Sequence, residues 1–268
     1  MNETMINLLE ACAKPLKLDI TGEELARLSI DKGHTQEQLE AVLDVFTHLK
    51  DKKEKSMVDM LLKLSRLPLM EPKTFDNFDF SRIHGKDVST LKGLPSLAEV
   101  YARQNIALIG PPGTGKTHIS KALGRECCLH GMKAYFLKAT ELNEKFTNAR
   151  KTGREEATIR SLVKPTCLII DEVGRCEFDT ENTRMFFDLI DRRYGKDGPN
   201  TMVFTSNMTP DKWPQFFREE SSLLCAVDRI FDNARVFMIR GESYRGRKRE
   251  MLAIEARDGT HQTTVTSS

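Results

Sequence analysis

Eight consecutive residues, Gly110, Pro111, Pro112, Gly113, Thr114, Gly115, Lys116 and Thr117, constrain this chain more than any other segment. They follow the pattern G-x-x-x-x-G-K-[ST], in which backbone N–H groups wrap phosphate oxygens. Gly113 and Gly115 permit backbone angles and close approaches that a Cβ would block. Such a loop needs a strand to deliver it and a helix whose N-terminal dipole favours anions. The apolar run 106–109 supplies the strand, and the following residues predict a helix beginning near Lys116. Lys116 is then expected to reach the β- and γ-phosphates of ATP, and the Thr117 hydroxyl to ligate Mg²⁺. His118, directly after the loop, is assigned to the nucleotide pocket in a packing rather than a catalytic role.

Four more short apolar runs, 134–137, 167–170, 202–205 and 236–239, alternate with helical stretches. That alternation predicts an α/β fold with a parallel sheet covered on both faces. In such a sheet the strand tips emerge on one edge, where ligands bind. The run from Cys167 ends in Asp171 and Glu172. Asp171 fits the carboxylate that organises Mg²⁺, and Glu172 fits the base that orients and deprotonates an attacking water. The run 202–205 ends in Ser206 and Asn207, so Asn207 is expected to hydrogen-bond that water or the γ-phosphate.

Residues 1–66 read as helical throughout and are expected to form a separate interaction domain. Three apolar stripes mark it: Met5, Leu8, Leu9 and Cys12; Leu39, Val42, Leu43 and Phe46; Met57, Met60, Leu61 and Leu64. Thr35 with Gln38 predicts a capping box. Docking of partners or neighbouring subunits and a small solvated helical domain are equally compatible with that pattern. Pro68 and Pro72 end the helical region, residues 67–250 form the second expected domain, and 251–268 a flexible tail.

Hydrophobic residues make up 39% of the 268, enough for a core, which excludes wholesale disorder. A net charge of +2 excludes a globally basic nucleic-acid coat, so phosphate contacts must come from local patches. One such patch is 235–249, with six bases against one acid; Arg247, Lys248 and Arg249 are its densest part. No apolar run is long enough for a membrane span. The six cysteines form no C-x-x-C pair, and reduced thiols in a cytoplasmic protein are the expectation.

The segments GPPGTGKT, CLIIDE and VFTSN resemble those of AAA+ ATPases of the initiator and loader branch. NIALIGPPGTGKTHISKALG, LIIDEVGR, FTSNM, AVDRIFDNA and IRGESYRGR are more narrowly similar to the IstB/DnaC-type group, over roughly residues 58–250. The resemblance implies a P-loop AAA+ core with a five-stranded parallel sheet and a homo-oligomer with ATP at its subunit interfaces. It implies Phe78 beside the adenine, Arg229 as the arginine finger given to a neighbouring subunit, and Arg245 as the sensor arginine within the subunit. Only 29 residues follow Ile239, too few for the full helical lid on which Arg245 usually sits. The region 140–160 corresponds to an inserted helix that faces DNA, which nominates Lys145, Arg150, Lys151 and Arg154. Together these imply binding of double-stranded DNA largely without sequence preference, and assistance to a transposase. A loader of a replicative helicase is the alternative, and a nucleotide-gated adaptor with negligible turnover is the third reading.

Overall fold

The computed structural model describes residues 3–218 and 220–240, with side chains from 4–218 and 226–240. Three helices come first: α1 (Glu3–Leu16), α2 (Gly22–Lys32) and α3 (Gln36–Leu64). Both inner starts carry capping boxes, the expected one at Thr35/Gln38 and a second at Thr21/Glu24. At 29 residues α3 extends about 44 Å. Its first part packs against α1, and its last turn inserts Leu61 and Leu62 into the core beneath the sheet.

The apolar stripes are only partly buried. On α1 the covered face is Met5, Ile6, Leu9, Cys12 and Ala13, while Leu8 faces outward. On α3, Val42, Val45, Leu49, Met57, Met60 and Leu64 are exposed. The physical reason is geometric: α1 covers one side of α3, and the sheet meets only its end.

A connector with two short helices, α4 (Val88–Gly93) and α5 (Ala98–Tyr101), leads into the sheet. Then follow β1 (Asn105–Ile109), α6 (Lys116–Leu129), β2 (Ala134–Lys138), α7 (Ala139–Thr152), α8 (Glu155–Val163), β3 (Cys167–Val173), α9 (Thr180–Tyr194), β4 (Thr201–Ser206), α10 (Glu220–Asp232) and β5 (Ala234–Met238). The strands are all parallel in the order β2-β3-β4-β1-β5. The strands depart from the expected limits by a residue or more, and two of them most. β3 continues through Asp171 and Glu172 to Val173, and β5 begins at Ala234, whose partner is Asn105. Pairing with the neighbouring strands sets these ends, and it continues past the apolar runs.

One core layer joins the sheet to α7–α10 through Leu142, Phe146, Phe178 and Trp213. The other joins it to α6 and the connector through Leu94, Leu97, Ile119 and Leu123. The outer edge of β2 is shielded where the Phe136 N–H donates to the Ser65 carbonyl at 2.9 Å.

Arg193 on α9 is fully buried and ties together the two segments that enter β3 and β4. Its guanidinium donates to the carbonyls of Leu162, Val163, Pro165, Thr166 and Thr201 and to Asn200 Oδ1 at 2.6–3.3 Å. Burial pulls its pKa down to about 10, so it stays charged at neutral pH. Arg193→Met strands these acceptors in a dry interior. The expected loss is at least about 3 kcal/mol, a fall of roughly 6–12 °C in the melting midpoint. Thermal denaturation checks this, with Arg160→Met on the exposed face of α8 expected to shift the midpoint by about 2 °C or less.

Candidate functional site: a phosphate loop with a hydroxyl–carboxylate chain

β1 ends where the phosphate loop begins, and the loop closes onto α6. Gly110 has φ +155°, and a Cβ there would collide with the Ile239 carbonyl oxygen. Gly115 caps α6 at φ +89°, and its Cβ would lie 2.5 Å from the Phe78 ring. Lys116 is buried and donates to the carbonyls of Gly110 and Pro111, both at 2.7 Å. The Thr114 hydroxyl donates to Pro111 O at 2.9 Å and tightens the turn. A wrapped loop, a helix N-terminus and an ammonium group folded over them form a cradle that fits a polyphosphate.

Beneath the loop, Thr117 Oγ1 donates to Asp171 Oδ1 at 2.8 Å. Thr205 Oγ1 donates to the same oxygen at 2.6 Å and accepts the Glu172 N–H at 2.9 Å. Asp171 is 1% exposed. Among the described residues no group of three or more His, Cys, Asp or Glu side chains is placed to hold a metal. A cation here would therefore take most of its oxygens from phosphate and water, the habit of Mg²⁺, with Thr117 and Asp171 as the fitting protein groups.

Glu172 is in the left-handed region at φ +61°. Its carboxylate lies 3.3 Å from Lys138 Nζ and 3.6 Å from the Arg175 guanidinium. Lys138 ends β2 opposite Asp171 in the register. Asn207 follows β4 and is exposed beside the loop, since Gly110 N–H donates to Ser206 O at 3.1 Å. Loop, Asp171, Glu172 and Asn207 thus meet at one edge of the sheet.

The other nominated residues divide. His118 Nε2–H donates to Thr74 O at 2.8 Å, and burial, helped by Lys73, lowers its pKa. It is neutral at pH 7 and packs 5.2 Å from the Phe78 ring. Phe78, expected beside the adenine, is 6% exposed and packs against Gly115, His118 and Phe80. It braces the loop. With Lys73, Gly113, Lys116, Thr117 and Lys121 it also lines a depression of about 390 Å³. Lys121 lies 4.4 Å over the Phe136 ring, and burial pushes its pKa down. A larger cavity of about 540 Å³ borders β5, between His84, Leu91, Phe237 and Ile239.

Arg229 on α10 lies at the opposite edge of the sheet, in a depression with Asn105 and Met202 from the starts of β1 and β4. Its guanidinium is 2.9 Å from Asp191 and 5.2 Å over the Phe187 ring. Arg150 is joined to Asp179, the N-cap of α9, at 2.6 Å. It ties α7 to α9, which leaves Lys151 and Arg154 exposed on that surface and Lys145 half-buried. Arg245, Arg247, Lys248 and Arg249 lie outside the described residues.

Sequence reasoning missed Thr205, Lys138 and Arg175. The first two were findable: Thr205 closes the run 202–205 that leads to Asn207, and Lys138 stands at the tip of the run 134–137. Arg175 reaches Glu172 only through the turn after β3.

Residues 11–252 match the family model described as IstB-like ATP binding protein. Over 77% of its length the chain is 34% identical to a protein of insertion sequence IS5376 from Geobacillus stearothermophilus, named as a candidate ATP-binding protein, and covers 80% of it. The counterpart from insertion sequence IS21 of Pseudomonas aeruginosa is 32% identical over 74% of this chain and 73% of its own length. Among solved structures, the DnaC helicase loader superposes with a TM-score of 0.52 at 14% identity, covering 63% of this chain and 97% of DnaC. AMPPCP-bound DnaA from Aquifex aeolicus gives 0.52 at 20% identity over 64% of this chain, which spans about half of DnaA. These identities carry the fold alone, a parallel sheet entered through the phosphate loop. The length and level of the family match, on a chain whose phosphate loop and acid pair are intact, make it a member of the IstB-like ATP-binding protein family.

Proposed function

We propose that this chain is a Mg²⁺-dependent ATPase that assembles on double-stranded DNA and assists a transposase. The observation that carries the catalytic part is the chain of hydrogen bonds from Thr117 through Asp171 and Thr205 to Glu172. Lys116 leaves the loop carbonyls for the β- and γ-phosphates. Thr117 and Asp171 hold the cation, which neutralises charge on those phosphates when bound. Glu172 takes the proton of the attacking water, and Asn207 holds that water from the next strand. Lys138 and Arg175 keep the Glu172 carboxylate anchored beside the cation site. The adenine is assigned to the space between Phe78 and the 540 Å³ cavity lined by Ile239, whose carbonyl abuts Gly110.

The DNA part rests on the exposed Lys151 and Arg154 and the half-buried Lys145 of the α7–α8 surface, together with the basic run 235–249. These residues carry no base-reading pattern, which favours backbone contact. The transposase part rests on the insertion-sequence origin of the relatives. A cytoplasmic protein acting as a homo-oligomer, with ATP at subunit interfaces and Arg229 given across them, belongs to the same reading. No helix among the described residues is long and apolar enough to cross a membrane.

Steady-state ATP hydrolysis by the full chain, with and without duplex DNA, tests the reading. Turnover dependent on Mg²⁺ and raised by DNA is expected. Glu172→Gln should keep ATP bound and cut turnover by at least about 10²-fold. Binding without turnover under either condition moves the protein to a nucleotide-gated adaptor. Capture by a purified replicative helicase, and not by an IS21-type transposase, moves it to a helicase loader.

A further inference from the structure

We infer that Thr205 is a positioning residue that locks the cation-binding carboxylate and the catalytic base to each other, an inference that rests on the ATPase reading above. Thr205 is 1% exposed, on β4 between the loop strand β1 and the acid strand β3. A threonine hydroxyl has one proton to donate. Here that proton goes to Asp171 Oδ1 at 2.6 Å, because a carboxylate only accepts. The hydroxyl oxygen is then left to accept, and it takes the backbone N–H of Glu172 at 2.9 Å. One hydroxyl thus fixes the side chain of residue 171 and the main chain of residue 172.

Both jobs are demanding. Glu172 has φ +61°, a conformation that side chains larger than glycine seldom adopt, and its N–H is held there by Thr205. Asp171 Oδ1 accepts two hydroxyls, from Thr117 and Thr205. When Thr117 turns its oxygen lone pairs toward a cation, Thr205 keeps the carboxylate from rotating with it. The base and the cation ligand are therefore placed by one group on a buried strand, independently of the loop.

Two substitutions separate this role from packing. Thr205→Val keeps the branched shape and removes the hydroxyl; Thr205→Ser keeps the hydroxyl and removes a methyl. Thr205→Val is expected to lower kcat by about 10–100-fold, as groups that orient a metal ligand do. The KM for ATP at saturating Mg²⁺ should change less than about threefold, and Thr205→Ser should restore most of kcat. A second readout needs no turnover: binding of a fluorescent ATP analogue, titrated with Mg²⁺. Affinity without Mg²⁺ should be unchanged in both variants, whereas the gain on adding Mg²⁺ should shrink in Thr205→Val and return in Thr205→Ser.

If Thr205→Val matches the wild type while Thr205→Ser is impaired, the residue acts by packing and the inference is overturned. If the wild type binds the analogue but never hydrolyses ATP, the ATPase reading fails, and the Mg²⁺ titration alone decides the positioning role. Should Thr205→Val not fold, Thr205→Ala replaces it with the same losses expected, and normal behaviour of that variant overturns the inference.

Discussion

Lys116→Ala should raise the dissociation constant for ATP by at least about 100-fold, some 2.7 kcal/mol. The ammonium group folds over the loop, 2.7 Å from each of two carbonyl oxygens. Removing it costs twice. The β- and γ-phosphates lose a charge-assisted hydrogen bond, worth about 1.5–3 kcal/mol. The carbonyls of Gly110 and Pro111 then face the phosphates without a cation between them. Backbone N–H groups and the α6 dipole remain, so a weak residual affinity is compatible with the assignment. Titration of the purified variant with a fluorescent ATP analogue measures the change, with circular dichroism to show that it is folded. Unchanged affinity in a folded protein would remove the phosphate-loop assignment and with it the mechanism.

The nucleotide edge of the fold was legible because its parts are local. The loop motif prescribes its strand and helix, and β1 and α6 lie where Ile109 and Lys116 required. Asp171 and Glu172 could be read from an apolar run ending in two acids, since parallel strands bring their tips to one edge. The long-range consequences were not legible. Thr205 acquires its role only when β4 settles between β1 and β3, thirty-four residues from the carboxylate that it holds. The burial of Phe78 depends on the connector folding back over Gly115, and no periodicity announces that contact. Along α3 the sequence pattern left burial open, because an amphipathic helix reports a face that seeks cover without saying whether this chain supplies it. Arg193 carries no motif at all; its importance arises from six acceptors contributed by segments up to thirty-one residues away.

Arg229→Ala should retain ATP binding yet lose about 10³–10⁵ in turnover, the usual contribution of an arginine finger. The fold supports action in trans. Arg229 lies with Asn105 and Met202, where β1 and β4 begin, whereas the phosphate loop follows the end of β1. Five residues of strand separate those edges by about 16 Å with the core between them. Its own site is out of reach. The cost of presenting Arg229 to a neighbour is small, because its ion pair with Asp191 is more than a third exposed on both sides. Such pairs are worth about 0–1 kcal/mol. A mixture of Lys116→Ala and Arg229→Ala proteins isolates the effect. The first fills its own site only weakly but still offers the arginine; the second keeps the site and lacks the arginine. In mixed oligomers formed on DNA, some interfaces join an intact site to an intact Arg229, and ATPase activity should reappear there alone. Crosslinking of differently tagged subunits shows whether the two proteins have co-assembled. Co-assembly without recovered activity means that Arg229 does not act across the interface, and its pairing with Asp191 is then a clamp between α9 and α10.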